Sequence, residues 1–241
     1  MKRTERHHLK DNELARMARS AQQAVEERRG QLMMAAIAVV VVLVVALGYY
    51  GWRRSVDSRA HALLADALIV ETARVGPPAA PGTPSQGLVY PTERDKYQAA
   101  LTKFKAVADQ YPSTRAGQFA RYREGTTQMA LGNGKEAMAA YQQVIDTAGD
   151  NIYGQMARLG QAQAQARSGE FEPAINTYKE LSTRTDGTLP LDGILMQLGQ
   201  TYLEAGKPTD AQQTFNRIVE EFPDSPFSVD ARRELDNLKK T

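Results

Sequence analysis

The side chains that could do chemistry are few and scattered. His7 and His8 stand together near the N-terminus without further ligands, and His61 is alone in a helical pattern. No cysteine is present, which excludes disulfides, thiolate metal sites and cysteine nucleophiles. Gly132-Asn133-Gly134-Lys135 has part of the spacing of a phosphate-binding loop. The upstream glycine is missing, however, and Glu136 stands where that loop needs Ser or Thr. Glu170-x-Glu172 and Glu220-Glu221 are carboxylate pairs of the kind acid–base catalysis uses, but no partner base or nucleophile accompanies them. They read as solvating charges. The sequence points away from an enzyme and implies no metal and no cofactor.

With chemistry so thin, the elements that carry these residues matter more. Thirty Lys and Arg face twenty-eight Asp and Glu, a balance too even for a chain that coats nucleic acid. Mean hydropathy is −0.48, which argues against many membrane spans but not against one. The basic excess sits entirely in residues 1–29, where eight Lys and Arg meet five Asp and Glu.

From Gly30 to Trp52 there is no charged residue, and Arg28-Arg29 and Arg53-Arg54 bracket the gap. At about 1.5 Å per residue this stretch crosses a hydrocarbon core of about 30 Å. The Val-rich run Leu32–Leu47 must be helical in lipid, where the backbone has no other hydrogen-bond partners. Tyr49, Tyr50 and Trp52 form an aromatic belt at one end. Ala46-Leu47-Gly48 would suit signal-peptide cleavage, but the charged leader and the belt beyond the cut favour a retained anchor. Lys10, Arg16, Arg19, Arg28 and Arg29 outnumber Arg53, Arg54 and Arg59 beside the span. That bias puts the N-terminus in the cytoplasm and residues 53–241 outside it. In the tail, Leu14, Met17, Ala21, Ala24 and Val25 fall at helical spacing, which suits either a lipid-touching helix or a solvated leader.

Beyond the span the chain repeats itself. Ala100, Ala137, Ala174 and Ala211 are 37 residues apart; Phe104, Tyr141, Tyr178 and Phe215 follow in register, then Val107, Val144, Leu181 and Ile218. Small, aromatic and aliphatic residues at i, i+4 and i+7 mark one packed helical face. Gly132, Gly169 and Gly206 precede the alanines by five, as the turn between two helices requires. Preceding helices repeat too, with Ala120, Tyr122 and Gly125 becoming Ala157, Leu159 and Ala162, then Ile194, Met196 and Gly199. The expected fold is therefore all-α: a single transmembrane helix, then an α-solenoid of helix pairs with period 37.

The expected organisation is a basic cytoplasmic tail over 1–29, a transmembrane helix over 30–52 and a membrane-proximal helix over 53–75. A Pro/Gly-rich loop over 76–91 follows, then repeats over 92–223 and a capping helix over 224–241. The loop, with five prolines and three glycines, serves as a flexible connector or a partner arm. Thr92 with Asp95 makes a capping-box start for the next helix.

Leu198-Gly199-x-x-Tyr202 followed by Gly206, Ala211, Phe215 and Pro223 resembles the tetratricopeptide-repeat signature. That repeat normally has 34 residues, so these units carry about three extra, and the signature's Trp is absent. The resemblance implies a groove lined by the first helix of each pair. Its positions fall on Phe119, Tyr122, Thr126 and Met129, then Met156, Leu159 and Gln163, then Met196, Gln200 and Leu203. The Lys, Arg and Asn that clamp a peptide carboxylate in one branch of that family are missing. A Met-rich apolar face suits exposed segments of unfolded chains, although such side chains also serve as core between repeats.

The order of tail, span, helix and external repeats resembles the ancillary Sec-translocon subunit of the YfgM type. Gly51-Trp52-Arg53 with Val56-Asp57-Ser58-Arg59-Ala60 carries the closest local similarity. Tyr111-Pro112-Ser113 and Phe222-Pro223-Asp224-Ser225 are similar to repeats of the Tol-Pal coordinator and of outer-membrane assembly lipoproteins. Those resemblances imply a single-pass protein of the bacterial inner membrane with a periplasmic repeat domain. Its partners would be the translocon, chaperones or secreted clients, and its lipid contact residues 30–52. The alternative is a structural adaptor of envelope or division machinery.

Overall fold

The computed structural model describes Met17 and residues 29–77, 87–184 and 189–240. The patterned tail over Leu14–Val25, apart from Met17, lies outside these residues, as do His7, His8 and most of the Pro-rich stretch. The chain divides into two compact units, Met1–Ser55 and Val56–Thr241.

Helix α1 (Arg29–Glu71) contributes to both units. In the first, it is the element that carries the charge-free stretch, and side chains from Met33 to Trp52 are exposed. It is long and apolar enough to cross a membrane. The helix continues beyond the charge-free stretch and stops at Glu71; no Pro or Gly interrupts Trp52–Glu71. Arg74–Val75 then forms β1, which pairs in parallel with β2 (Val89–Tyr90). The Pro-rich stretch is thus pinned at both ends by a two-rung ladder, a regular element its composition gave no reason to expect.

In the second unit, helices alternate with short turns. After α1 come α2 (Glu93–Gln110), α3 (Arg115–Ala130), α4 (Gly134–Ala148) and α5 (Ile152–Arg167). Then follow α6 (Phe171–Ser182), α7 (Leu191–Glu204), α8 (Pro208–Glu221) and α9 (Pro226–Leu238). The fold is an all-α solenoid of helix pairs. Starts are set locally: the Thr92 hydroxyl accepts from the Asp95 N–H at 3.1 Å, and Ser225 caps α9 by accepting from Phe227 N–H. Gly132, Gly169 and Gly206 take positive φ in the turns between paired helices, as their shared register demanded.

The repeated columns are the core. Ala100, Ala137, Ala174 and Ala211 are fully buried, as are Phe104, Tyr178 and Phe215, with Tyr141 at 2% exposure. Burying each aromatic stabilises the fold by about 1.5–3 kcal/mol. Flat rings need space on the helix opposite, and glycine supplies it. A Cβ at Gly199 would lie 2.4 Å from the Phe215 ring, and one at Gly125 would lie 2.5 Å from Tyr141. Gly160 meets the same Tyr141 ring, at 2.6 Å. Tyr141 is therefore held between glycines of two successive first helices.

Ala60, Leu64, Ala67 and Val70 of α1 pack on Ala100, Phe104 and Val107, so this part of α1 is the first helix of the first pair. At the far end α9 buries Ser228, Ala231 and Leu235 and leaves Val229, Arg232, Arg233 and Asp236 exposed. One apolar and one mainly polar face is what a capping helix needs. Among the described residues, α3 touches α5 and α5 touches α7, while second helices meet only helices adjacent in sequence or the next cap. The first-helix side is consequently the inner side of the stack.

Candidate partner-binding face

Capping fixes where the inner side begins. Thr114 accepts from Gly117 N–H at 3.0 Å and starts α3. Asn151 Oδ1 accepts from Tyr153 N–H at 2.9 Å and Gly154 N–H at 3.2 Å and starts α5. Those two starts bring Phe119 and Tyr153 together, with ring centroids 5.9 Å apart. Phe119 also stacks on Tyr122 at 6.3 Å, and Tyr122 lies 5.9 Å from Tyr141 below. Burial raises the Tyr122 pKa, so this end of the face is neutral and aromatic.

The expected groove residues divide in an informative way. Phe119, Tyr122, Met129, Met156, Leu159 and Leu203 are half-buried. Of these, Phe119, Tyr122, Met129, Leu159 and Leu203 pack sideways against the core while keeping part of their surface open. Thr126 is half-buried and its hydroxyl donates to Arg123 O, within its own helix. Gln163 is half-buried and Gln200 exposed. Met196 departs from expectation. At 3% exposure it belongs to the core of the last pair, because the chain continues past α8 and α9 closes over that end of the stack.

Farther along, between α5 and α7, the inner side opens into a cleft of about 550 Å³. Its walls are Gln163, Ala166 and Arg167 from α5 and Gln197, Gln200, Thr201 and Glu204 from α7, with Gly169 and Phe171 at one end. The expected Met-rich apolar face is thus only half of the picture. Sequence reasoning missed Tyr153, Arg167, Gln197 and Glu204. Arg167 and Glu204 were within reach of the 37-residue period, since 167 and 204 share one register beside 166 and 203. Behind the cleft, Tyr178 is fully buried and its hydroxyl has no hydrogen-bond partner among the described residues. Burial pushes its pKa well up, while Arg167 and Glu204 act on it with opposite signs.

Helix pairs in constant register, aromatic-on-glycine packing and a closing helix together describe one kind of repeat. The sequence matches the family described as a tetratricopeptide repeat-like domain over residues 27–225. The chain belongs to that family. Tetratricopeptide-repeat domains bind protein partners and are typically non-catalytic interaction scaffolds, which makes this domain a protein-interaction scaffold. A tetratricopeptide repeat protein from Parabacteroides merdae is similar in structure, with 21% identity and a TM-score of 0.50. The match covers 61% of this chain and 56% of that one, so this chain spans just over half its length. The nearly identical TPR-like repeats of a putative kinesin light chain from Podosopora anserina align with a TM-score of 0.58 at 13% identity. There the coverage is 76% of this chain and 87% of the other. At these identities the likeness is one of fold. No curated protein shows significant sequence similarity to the chain.

Proposed function

We propose that this is a single-pass membrane protein whose repeat domain, outside the cytoplasm, gathers protein partners for secretion or envelope-protein biogenesis. The observation that carries it is one chain joining an uncovered apolar helix to tetratricopeptide-like repeats. Side chains of that helix from Met33 to Trp52 are exposed, a state water penalises and lipid does not. More basic residues on its N-terminal side support a cytoplasmic N-terminus. The order of elements, similar to the ancillary translocon subunit of the YfgM type, supports the bacterial inner membrane, a periplasmic repeat domain, and translocon, chaperone or secreted-client partners.

Protease treatment of spheroplasts should remove everything beyond the span, while intact cells protect it; a protease-resistant repeat domain in spheroplasts overturns the topology. Crosslinking from membranes followed by mass spectrometry should recover partners with Met156→Glu and Leu159→Glu reducing them. Both residues are half-open, so the fold survives the change, whereas a carboxylate at the buried Met196 position would unfold the last pair.

A second reading, a structural adaptor with one folded partner, draws support from the stacked Phe119, Tyr122 and Tyr153 rings. A pre-packed aromatic patch suits a fixed surface better than changing clients. Recovery of a single stoichiometric partner and no nascent chains would favour it.

A further inference from the structure

Two tyrosines stand near the end of the charge-free stretch of α1, and an arginine follows each by four residues: Tyr49 with Arg53, and Tyr50 with Arg54. Residues four apart share one flank of a helix, with Cβ atoms about 5–6 Å apart. Successive residues turn by about 100°, so the two pairs occupy adjacent flanks. All four side chains are exposed, and neither arginine forms an ion pair among the described residues. Trp52 stands beside the first pair, its ring 6.0 Å from that of Tyr49.

Direction matters as much as spacing. Helical Cα–Cβ bonds tilt towards the N-terminus, so each arginine leans over the preceding turn, where its tyrosine stands. In α1 that direction is also towards the charge-free stretch. With Gly30–Trp52 in lipid, both guanidiniums therefore lean back to the bilayer. Arg29, at the other end, leans away from it by the same rule. A phenol at the edge of the hydrocarbon needs a polar partner for its hydroxyl, and a guanidinium there needs an anion. Phosphate oxygens accept from both, and a guanidinium donates to two of them at once.

Local charge decides which phospholipid fits. No carboxylate occurs between Glu27 and Asp57. A zwitterionic headgroup brings an ammonium that finds no anionic partner here, whereas an anionic headgroup brings only charge that the arginines neutralise. Donors on adjacent flanks suit separate headgroups around a lipid-embedded helix better than one protein, which needs a single face.

We infer that Tyr49 with Arg53, and Tyr50 with Arg54, form two sites for the phosphates of anionic phospholipids in the leaflet where the repeat domain emerges. The inference rests on the membrane reading above and adds to it a lipid preference and the residues that set it.

The test uses the full chain in phosphatidylcholine nanodiscs. Trp52 reports it, as the only tryptophan in the sequence. Trace dibrominated phosphatidylglycerol or dibrominated phosphatidylcholine quenches tryptophan only at short range, so the two quenching yields compare local lipid occupancy. Phosphatidylglycerol should be favoured about fivefold or more at low salt, and progressively less as salt screens the charges. Arg53→Gln with Arg54→Gln should abolish the preference. Tyr49→Phe with Tyr50→Phe, which leaves the charge alone, should lower it about twofold or more. Equal quenching by the two lipids in the wild-type chain overturns the inference and leaves the span intact. Quenching by neither shows Trp52 away from a bilayer and sinks the membrane reading as well. A preference kept in full by either double variant overturns the paired sites. Inorganic phosphate should weaken the preference no more than sodium chloride of equal ionic strength; a stronger effect overturns the lipid assignment in favour of free phosphate. Should a variant fail to insert, the comparison of the two lipids on the wild-type chain decides.

Discussion

Two stretches of the same inner side, α3 against α5 and α5 against α7, stand on one scaffold and differ in everything that faces outward. At the first, Phe119, Tyr122 and Tyr153 close into a ring cluster above Tyr141. At the second, the register position of Thr126 carries Gln200, which lines a polar cleft. Beneath both, the small, aromatic and aliphatic columns are the same and equally buried. Packing columns define the fold, and the positions between them are free to vary the surface without disturbing it.

The strongest way to break this comparison is to attack the shared columns. Gly125→Val and Gly199→Val each force a side chain into an aromatic ring of the core. Each should cost about 3 kcal/mol in urea unfolding followed by far-UV circular dichroism. A large loss at one site and none at the other would show that the two stretches do not rest on one packing rule.

Next come the faces themselves. Tyr153→Ala should destabilise by about 1–2 kcal/mol, because it removes a half-buried ring from the Phe119 cluster. Gln163→Leu with Gln197→Leu and Gln200→Leu, in the cleft, should stay within about 0.5 kcal/mol, since those amides make no side-chain hydrogen bond among the described residues. The contrast is read in the same unfolding experiment, and equal losses would erase the distinction between a face that holds the fold and one that does not.

Alkali separates the inner pairs from the outer ones. Burial raises the pKa of Tyr141 and Tyr178 above the ordinary phenol value of 10.0. A raised folded pKa means stability fully present below about pH 10 and lost as pH climbs toward the folded value. Phe104 and Phe215, in the same column, have nothing to ionise. Tyr141→Phe with Tyr178→Phe should move the alkaline unfolding midpoint upward and leave neutral stability within about 1 kcal/mol, because Tyr178 gives up no hydrogen bond. An unmoved midpoint would remove the buried phenols as its cause.

The smallest effect belongs to the rim. Asp150 accepts from Arg184 and Arg158, both at 3.0 Å, and the Arg184 bond leads in holding its pKa below 3.8. A lowered folded pKa stabilises above the unfolded value and stops doing so as pH falls through the folded one. Asp150→Asn should therefore be slightly less stable than wild type at neutral pH and indistinguishable in strong acid. Solvent reaches this pair freely, so the gap at neutral pH should be barely measurable.

Much of the architecture was legible because a repeat displays its core four times. Any one alanine is uninformative, but Ala100, Ala137, Ala174 and Ala211 in step with an aromatic and an aliphatic column are not. Thr92 and Ser225 signalled helix starts because a cap is a local bond. The unseen features are non-local. Met196 occupies a groove register and is buried in a core that α6, α7, α8 and α9 build together. The β1–β2 ladder joins residues separated by the Pro-rich stretch, and two-residue strands leave no periodicity to read. The cleft combines Arg167 of α5 with Glu204 of α7, which spacing along one helix does not disclose.

The Tyr141 ring, clasped by Gly125 on one side and Gly160 on the other, works as a gauge block. The ring lies against Gly125 of α3 and Gly160 of α5, so a change in its size changes how those two helices can pack. Tyr141→Leu should let the two helices settle differently, and small-angle scattering would register the altered radius of gyration. One fully hidden column can in this way tune the span of the surface above it, while no residue that touches a partner changes.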